Sequence, residues 1–181
     1  MKIRYLGYIM ILAFLTMFPM GCMSTMAERQ GTKAYTMKDY TTARLKYQEA
    51  ADQGNTNAMY HLAVMYAEGQ GIEQDYPKAA GLLDQAVIEG NDDARLMLGL
   101  FNIYGDGVPQ NPAKGATLIA TAADNGNDIA MYYLANLFAA GLGVEKSLDK
   151  AEYWMQEAKS AGFPVRDELL TKDGLTALYE E

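Results

Sequence analysis

The chain has 181 residues, half of them apolar, and a formal net charge of −8. That length can bury one continuous core, and an acidic surface repels phosphate backbones, which argues against a nucleic-acid partner. One cysteine and one histidine exclude an intramolecular disulfide and a Cys/His zinc site.

In chain order, "MKIRYLGYIMILAFLTMFPMGC" opens with Lys2 and Arg4 and then runs apolar from about Leu6 to Phe18. A charged start followed by an apolar run of that length predicts a signal peptide over 1–21, and it is short for a membrane span. Cys22, the lone cysteine, directly follows Gly21. This resembles a bacterial lipoprotein signal, in which that cysteine is lipidated and becomes the first mature residue. Pro19 departs from the pattern, standing where such signals usually carry leucine. Ordinary cleavage after Ala27, with Thr25 two residues before it, and an uncleaved anchor remain open alternatives. By the same resemblance, Met23 in place of an aspartate points to the outer membrane, facing the periplasm. A short linker is expected over 22–33.

The next stretch, "GTKAYTMKDYTTARLKYQEAADQGN", predicts an N-terminal unit over 34–56. A strict period follows. Gly69, Gly105 and Gly141 are 36 residues apart, as are Gly71, Gly107 and Gly143. Ile72, Val108 and Val144 keep step, as do Lys78, Lys114 and Lys150. A period between 20 and 50 residues is the mark of a solenoid of repeated supersecondary units. Three full units are expected over 57–92, 93–128 and 129–164, with a capping helix or tail over 165–181.

One unit can be read physically. "NAMYHLAVMYAEG" carries a helical apolar stripe, and the glycines at 69 and 71 end it. Ile72 is expected as a plug beneath the turn. Asp75, Asn111 and Ser147 are expected N-caps of a second helix. Pro112 sits directly after its cap, where a missing N–H costs little. That helix ends near Glu89, before Gly90. Ala63, Gly99 and Ala135 are equivalent positions, as are Ala79, Gly115 and Ala151. Glycine inside a helix costs roughly 1 kcal/mol relative to alanine. Its retention at 99 and 115 predicts close approach of two helices.

The pattern A-x-x-x-L-[AG]-x-x-[YFN]-x-x-G-x-G-[VI], then [DNS]-x-x-K-[AG], resembles the Sel-one-like repeat, a relative of the tetratricopeptide repeat. It covers 57–162. In the unit before it, Asp39, Tyr40, Ala43, Tyr47 and Ala50 match the second helix of a looser, tetratricopeptide-like unit without the G-x-G loop. The tail from Arg166 onward is expected as a polar cap. The resemblance implies an all-α, right-handed α/α solenoid of antiparallel helix pairs, with the first helix of each pair on the concave side. It also implies protein binding, with neither catalysis nor cofactor. On that analogy Asn57, Tyr60, Val64, Asp93, Leu96, Leu100, Tyr104, Tyr132 and Asn136 face the groove. Tyr60, Val64, Leu96, Leu100, Tyr104, Tyr132 and Asn136 are the candidate partner-binding set. Apolar and aromatic side chains with polar edges suit a protein partner.

No phosphate loop occurs, and the G-x-G pairs join two helices rather than following a strand, so they are no dinucleotide fingerprint. His61, beside the apolar stripe, reads as a partly buried polar residue rather than a catalytic one. Three functions are compatible with these expectations. The first is a lipid-anchored periplasmic scaffold that binds a protein partner, such as a component of an envelope machine. The second is an immunity protein that neutralises a toxic effector. The third, least favoured, is a cell-wall enzyme.

Overall fold

The computed structural model describes the backbone of residues 20–179 and the side chains of residues 23–175. Residues 1–19 of the expected signal peptide 1–21, and the thiol of Cys22, lie outside the described residues. Among the described residues nine α-helices follow one another: α1 (Met20–Thr36), α2 (Tyr40–Ala51), α3 (Thr56–Glu68), α4 (Tyr76–Ile88), α5 (Asp92–Tyr104), α6 (Pro112–Asp124), α7 (Asp128–Ala140), α8 (Leu148–Ala161) and α9 (Lys172–Tyr179). A single 3₁₀ turn, Asp167–Leu170, precedes α9, and no strand occurs among the described residues. The helices pair as α1/α2, α3/α4, α5/α6 and α7/α8, and each pair packs on the next. The odd-numbered helices α1, α3, α5 and α7 are called A helices, their partners B helices.

The segment expected as a linker over 22–33 is a helix instead. It is the A helix of a fourth pair. Ala27 and Ala34 are buried there, and Gly31 lies so close to the Tyr47 ring that a β-carbon would fall 2.7 Å from it. Small residues on α1 thus accommodate one large, fully buried tyrosine on α2. The pair turns without a G-x-G loop. Lys38 adopts a left-handed conformation (φ 61°) directly before the cap Asp39, whose side chain accepts from the Thr42 N–H at 3.1 Å.

In the three longer units the expected punctuation is present. Asp75, Asn111 and Ser147 cap the B helices, accepting from the N–H groups of Lys78, Lys114 and Lys150. The polar run between the helices also has work. Gln74 and Gln110 donate to the carbonyls of Ala67 and Ile103, near the ends of the A helices. Gly69, Gly105 and Gly141 are left-handed C-caps. The A helices begin at 56, 92 and 128, so the expected unit boundaries at 57, 93 and 129 fall just inside their first turns.

Two contacts set the register. A β-carbon on Gly71 would fall 2.5 Å from Tyr40 Cβ; one on Gly107 would fall 2.4 Å from the carbonyl carbon of Tyr76; one on Gly143 would fall 2.2 Å from the Pro112 oxygen. Tyr40, Tyr76 and Pro112 each open the B helix of the preceding unit. Each loop therefore rests on the unit before it, and Val108 and Val144 pack against the neighbouring core there.

The second contact is a set of hydrogen bonds absent from the sequence expectations. Asn55, Asn91 and Asn127 cap the A helices, accepting from the N–H groups of Ala58, Ala94 and Ala130. The free side of the amide then reaches back. Asn91 Nδ2 donates to Asn57 Oδ1 at 2.9 Å, and Asn127 Nδ2 donates to Asp93 Oδ1 at 2.7 Å. One side chain thus satisfies a helix end and aligns adjacent A helices start to start.

The tail is polar outside but apolar inside. Leu169 and Leu175 are buried against Ala135, Ala139 and Met155 of the last unit. Asp149 of α8 pairs with Lys172, and Lys159 with Asp167.

Candidate functional site

Among the described residues, two adjoining clefts open between A helices. The first, of 280 Å³, lies between α3, α5 and α7 and is lined by Tyr60, Val64, Glu68, Asp93, Leu96, Met97, Leu100, Ile129 and Tyr133. The second, of 400 Å³, lies between α5 and α7, where Leu100 and Tyr133 are joined by Tyr104, Tyr132, Asn136 and Leu142, among others. Leu100 and Tyr133 thus line both clefts and make one continuous surface.

All seven candidate partner-binding residues line this surface, but they are not equivalent. Tyr104 is 65% exposed, whereas Leu96 is almost fully buried and shapes the floor. Tyr60, Val64, Leu100, Tyr132 and Asn136 are half-buried. Tyr132 is already engaged: its ring stacks on Phe163 at 4.7 Å and meets Tyr133 edge-on at 6.0 Å. Alanine at 132 would therefore remove packing at the end of the array as well as a cleft wall. Asn136 donates to the carbonyl of Tyr132.

Sequence reasoning missed Tyr133, Met97, Ile129 and Glu68. The available signal was the column formed by His61, Met97 and Tyr133, spaced like the repeat itself. Assigning His61 to the edge of the core hid the other two. In the structure His61 is held by aromatic neighbours. Its ring stacks on Tyr47 at 4.9 Å, with Tyr60 at 5.4 Å. Burial lowers its pKa below the ordinary 6.5, against the opposing pull of Glu28 and Asp93.

An imidazole whose folded pKa is lowered binds fewer protons folded than unfolded, so its contribution is complete above about pH 6.5 and is lost as pH falls through the folded value. The urea midpoint should drop between pH 7.5 and 5.5. His61→Phe, which keeps a ring against Tyr47, should flatten that dependence. An equally steep profile in the variant would assign the effect elsewhere. The exposed Asp39 and Asp167, whose pKa values are held down by the Thr42 and Lys159 hydrogen bonds, act only at lower pH.

The Tyr60 hydroxyl is harder to ionise than usual, through burial first and then the negative charges of Asp93 and Glu68. Among the described residues, no group of three or more His, Cys, Asp and Glu is placed to hold a metal ion. No helix among them is long and apolar enough to cross a membrane.

A family model described as the Sel1 repeat matches four stretches of the chain, 26–55, 56–91, 92–127 and 128–163. The first begins within α1, in agreement with a fourth helix pair. A Sel1 repeat protein from Oxalobacter formigenes is 28% identical, with a TM-score of 0.66 over 68% of this chain and 49% of that one. A protective antigen present in uropathogenic Escherichia coli strains, displaying an SLR fold, is 28% identical, with a TM-score of 0.71 over 77% of this chain and 31% of that one. The chain thus spans about half the length of the first and a third of the second. No curated protein matches it.

Proposed function

The chain belongs to the Sel1 repeat family, whose members are in general non-catalytic protein-interaction scaffolds, and we propose that it holds a partner protein in the clefts along its A helices. The supporting observation is continuity. Leu100 and Tyr133 join two mostly apolar clefts across three successive A helices. A partner segment can lie along that line, with a few aromatic and aliphatic anchors supplying most of the energy.

The test is capture of partners by the full chain from the envelope of its own cells, followed by binding measurements on variants. Leu100→Ala and Tyr133→Ala should each weaken binding by roughly 2 kcal/mol, about thirtyfold. Glu152→Lys, on the B helix α8, should matter little. Normal binding by the first two and failure of the third would move the working surface to the B helices. An envelope-machine subunit as partner supports a scaffold; a single lipase, nuclease or amidase supports an immunity protein.

The proposed location is the bacterial envelope, with Cys22 lipidated and the solenoid in the periplasm at the outer membrane. The support is the charged and apolar run that ends at the lone cysteine. Cys22→Ser should release the protein into the soluble periplasmic fraction or leave unprocessed precursor. Normal processing and membrane retention of that variant would refute the anchor.

A further inference from the structure

The first cleft is apolar but not neutral. Glu68 is the last residue of α3, and Asp93 lies in the first turn of α5. The asparagine bonds set the A helices start to start, so these two carboxylates stand at opposite ends of the cleft, with Tyr60 between them. No lysine or arginine occurs among the described residues that line either cleft. The nearby cations are committed elsewhere: Lys78 lies 4.6 Å over the Tyr66 ring, and Arg95 is paired with Asp92. Glu68 makes no ion pair among the described residues. The chain as a whole is acidic, so nothing in its net charge offsets this local field.

Resting on the cleft reading above, we propose that the partner segment carries a lysine or arginine flanked by apolar side chains, its cation lying against Tyr60 between Glu68 and Asp93 and its apolar neighbours against Leu100 and Tyr133. Three features favour this occupant. A cation beside Tyr60 gains from both carboxylates, whose charges already act on the Tyr60 hydroxyl. A tyrosine face supplies a further attraction, of the kind Lys78 and Lys150 already show on Tyr66 and Phe138 within this chain. An acidic segment would instead bring like charge against both carboxylates, and a purely apolar one would leave that charge unused.

The probe is a phage-displayed library of random dodecapeptides, selected on the full chain in detergent. Selected peptides are synthesised and their binding measured by fluorescence anisotropy. Enrichment of lysine or arginine beside leucine, phenylalanine or tryptophan is expected. The double variant Glu68→Gln, Asp93→Asn should weaken such a peptide about tenfold at low salt, and the difference should shrink as salt rises toward 0.5 M. The amide that replaces the Asp93 carboxylate keeps an acceptor for Asn127, and a melt confirms that the double variant folds. Peptides without cations that lose binding with Tyr133→Ala but not with the double variant would overturn the cation subsite and leave the cleft reading standing. Peptides indifferent to both Leu100→Ala and Tyr133→Ala, or a selection that yields none, would overturn both.

Discussion

Gly107→Ala should destabilise the protein by about 3 kcal/mol or more, a large loss for a single methyl group. Two costs coincide. Gly107 has φ +68°, a region where a side chain costs roughly 1–2 kcal/mol. Its β-carbon would also lie 2.4 Å from the carbonyl carbon and 2.5 Å from the carbonyl oxygen of Tyr76. Those are backbone atoms at the start of α4 and cannot turn aside. Relief requires lifting the loop off the preceding unit, and Val108 would lose its packing with it. A urea titration followed by circular dichroism should show a lower midpoint and a broader transition, because the two halves of the array unfold less cooperatively. Gly126→Ala is the internal control. It has φ +97° but nothing within 4 Å of the new atom, so it should cost only about 1 kcal/mol. Equal losses at both positions would mean that the loop does not bear on Tyr76.

The second large effect is expected at the crossing of α5 and α6. A β-carbon on Gly99 would fall 2.6 Å from Ile119 Cγ1 and 3.0 Å from the Gly115 oxygen. One on Gly115 would fall 2.5 Å from the Gly99 oxygen. The two glycines face each other across the helix pair. Ala63 and Ala79, and Ala135 and Ala151, hold the equivalent places in the neighbouring units and are fully buried. Gly99→Leu forces the helices apart at the centre of the array and should cost about 3 kcal/mol or more. Gly115→Ala sharpens the test. Alanine is the better helix former by about 1 kcal/mol, yet the variant should be less stable, because the clash is with a carbonyl rather than a flexible side chain. A thermal melt in which either variant matches the parent would show that this pair is not in contact.

The three longer units could be read from sequence because local chemistry and global order agree there. Capping residues, the two loop glycines and the small residues at helix crossings all recur at 36-residue spacing. The first unit was harder to see. Its A helix meets α2 with Ala27, Gly31 and Ala34, and the bulk comes from Tyr47 on the other side. A helix whose buried face is made of small residues has little apolar periodicity to detect. Its turn relies on Lys38 in a left-handed conformation, where the other units use glycine. The cleft was half visible. Spacing brings Tyr60, Leu96 and Tyr132 into one column, but it does not say that Phe163 covers Tyr132 while Tyr133 lines both clefts. The asparagine caps were in plain view at 55, 91 and 127, yet a donor's second partner depends on the neighbouring unit.

Those caps and the second loop glycines share a direction. Asn91 and Asn127 reach back to Asn57 and Asp93. Gly71, Gly107 and Gly143 rest on Tyr40, Tyr76 and Pro112. Every one of these interlocks is made by a later unit on an earlier one. A chain delivered N-terminus first, from a ribosome or through a membrane pore, therefore always offers the arriving unit a finished seat. Assembly can be vectorial, like a zip closed from one end: these interlocks need only sequence that has already appeared.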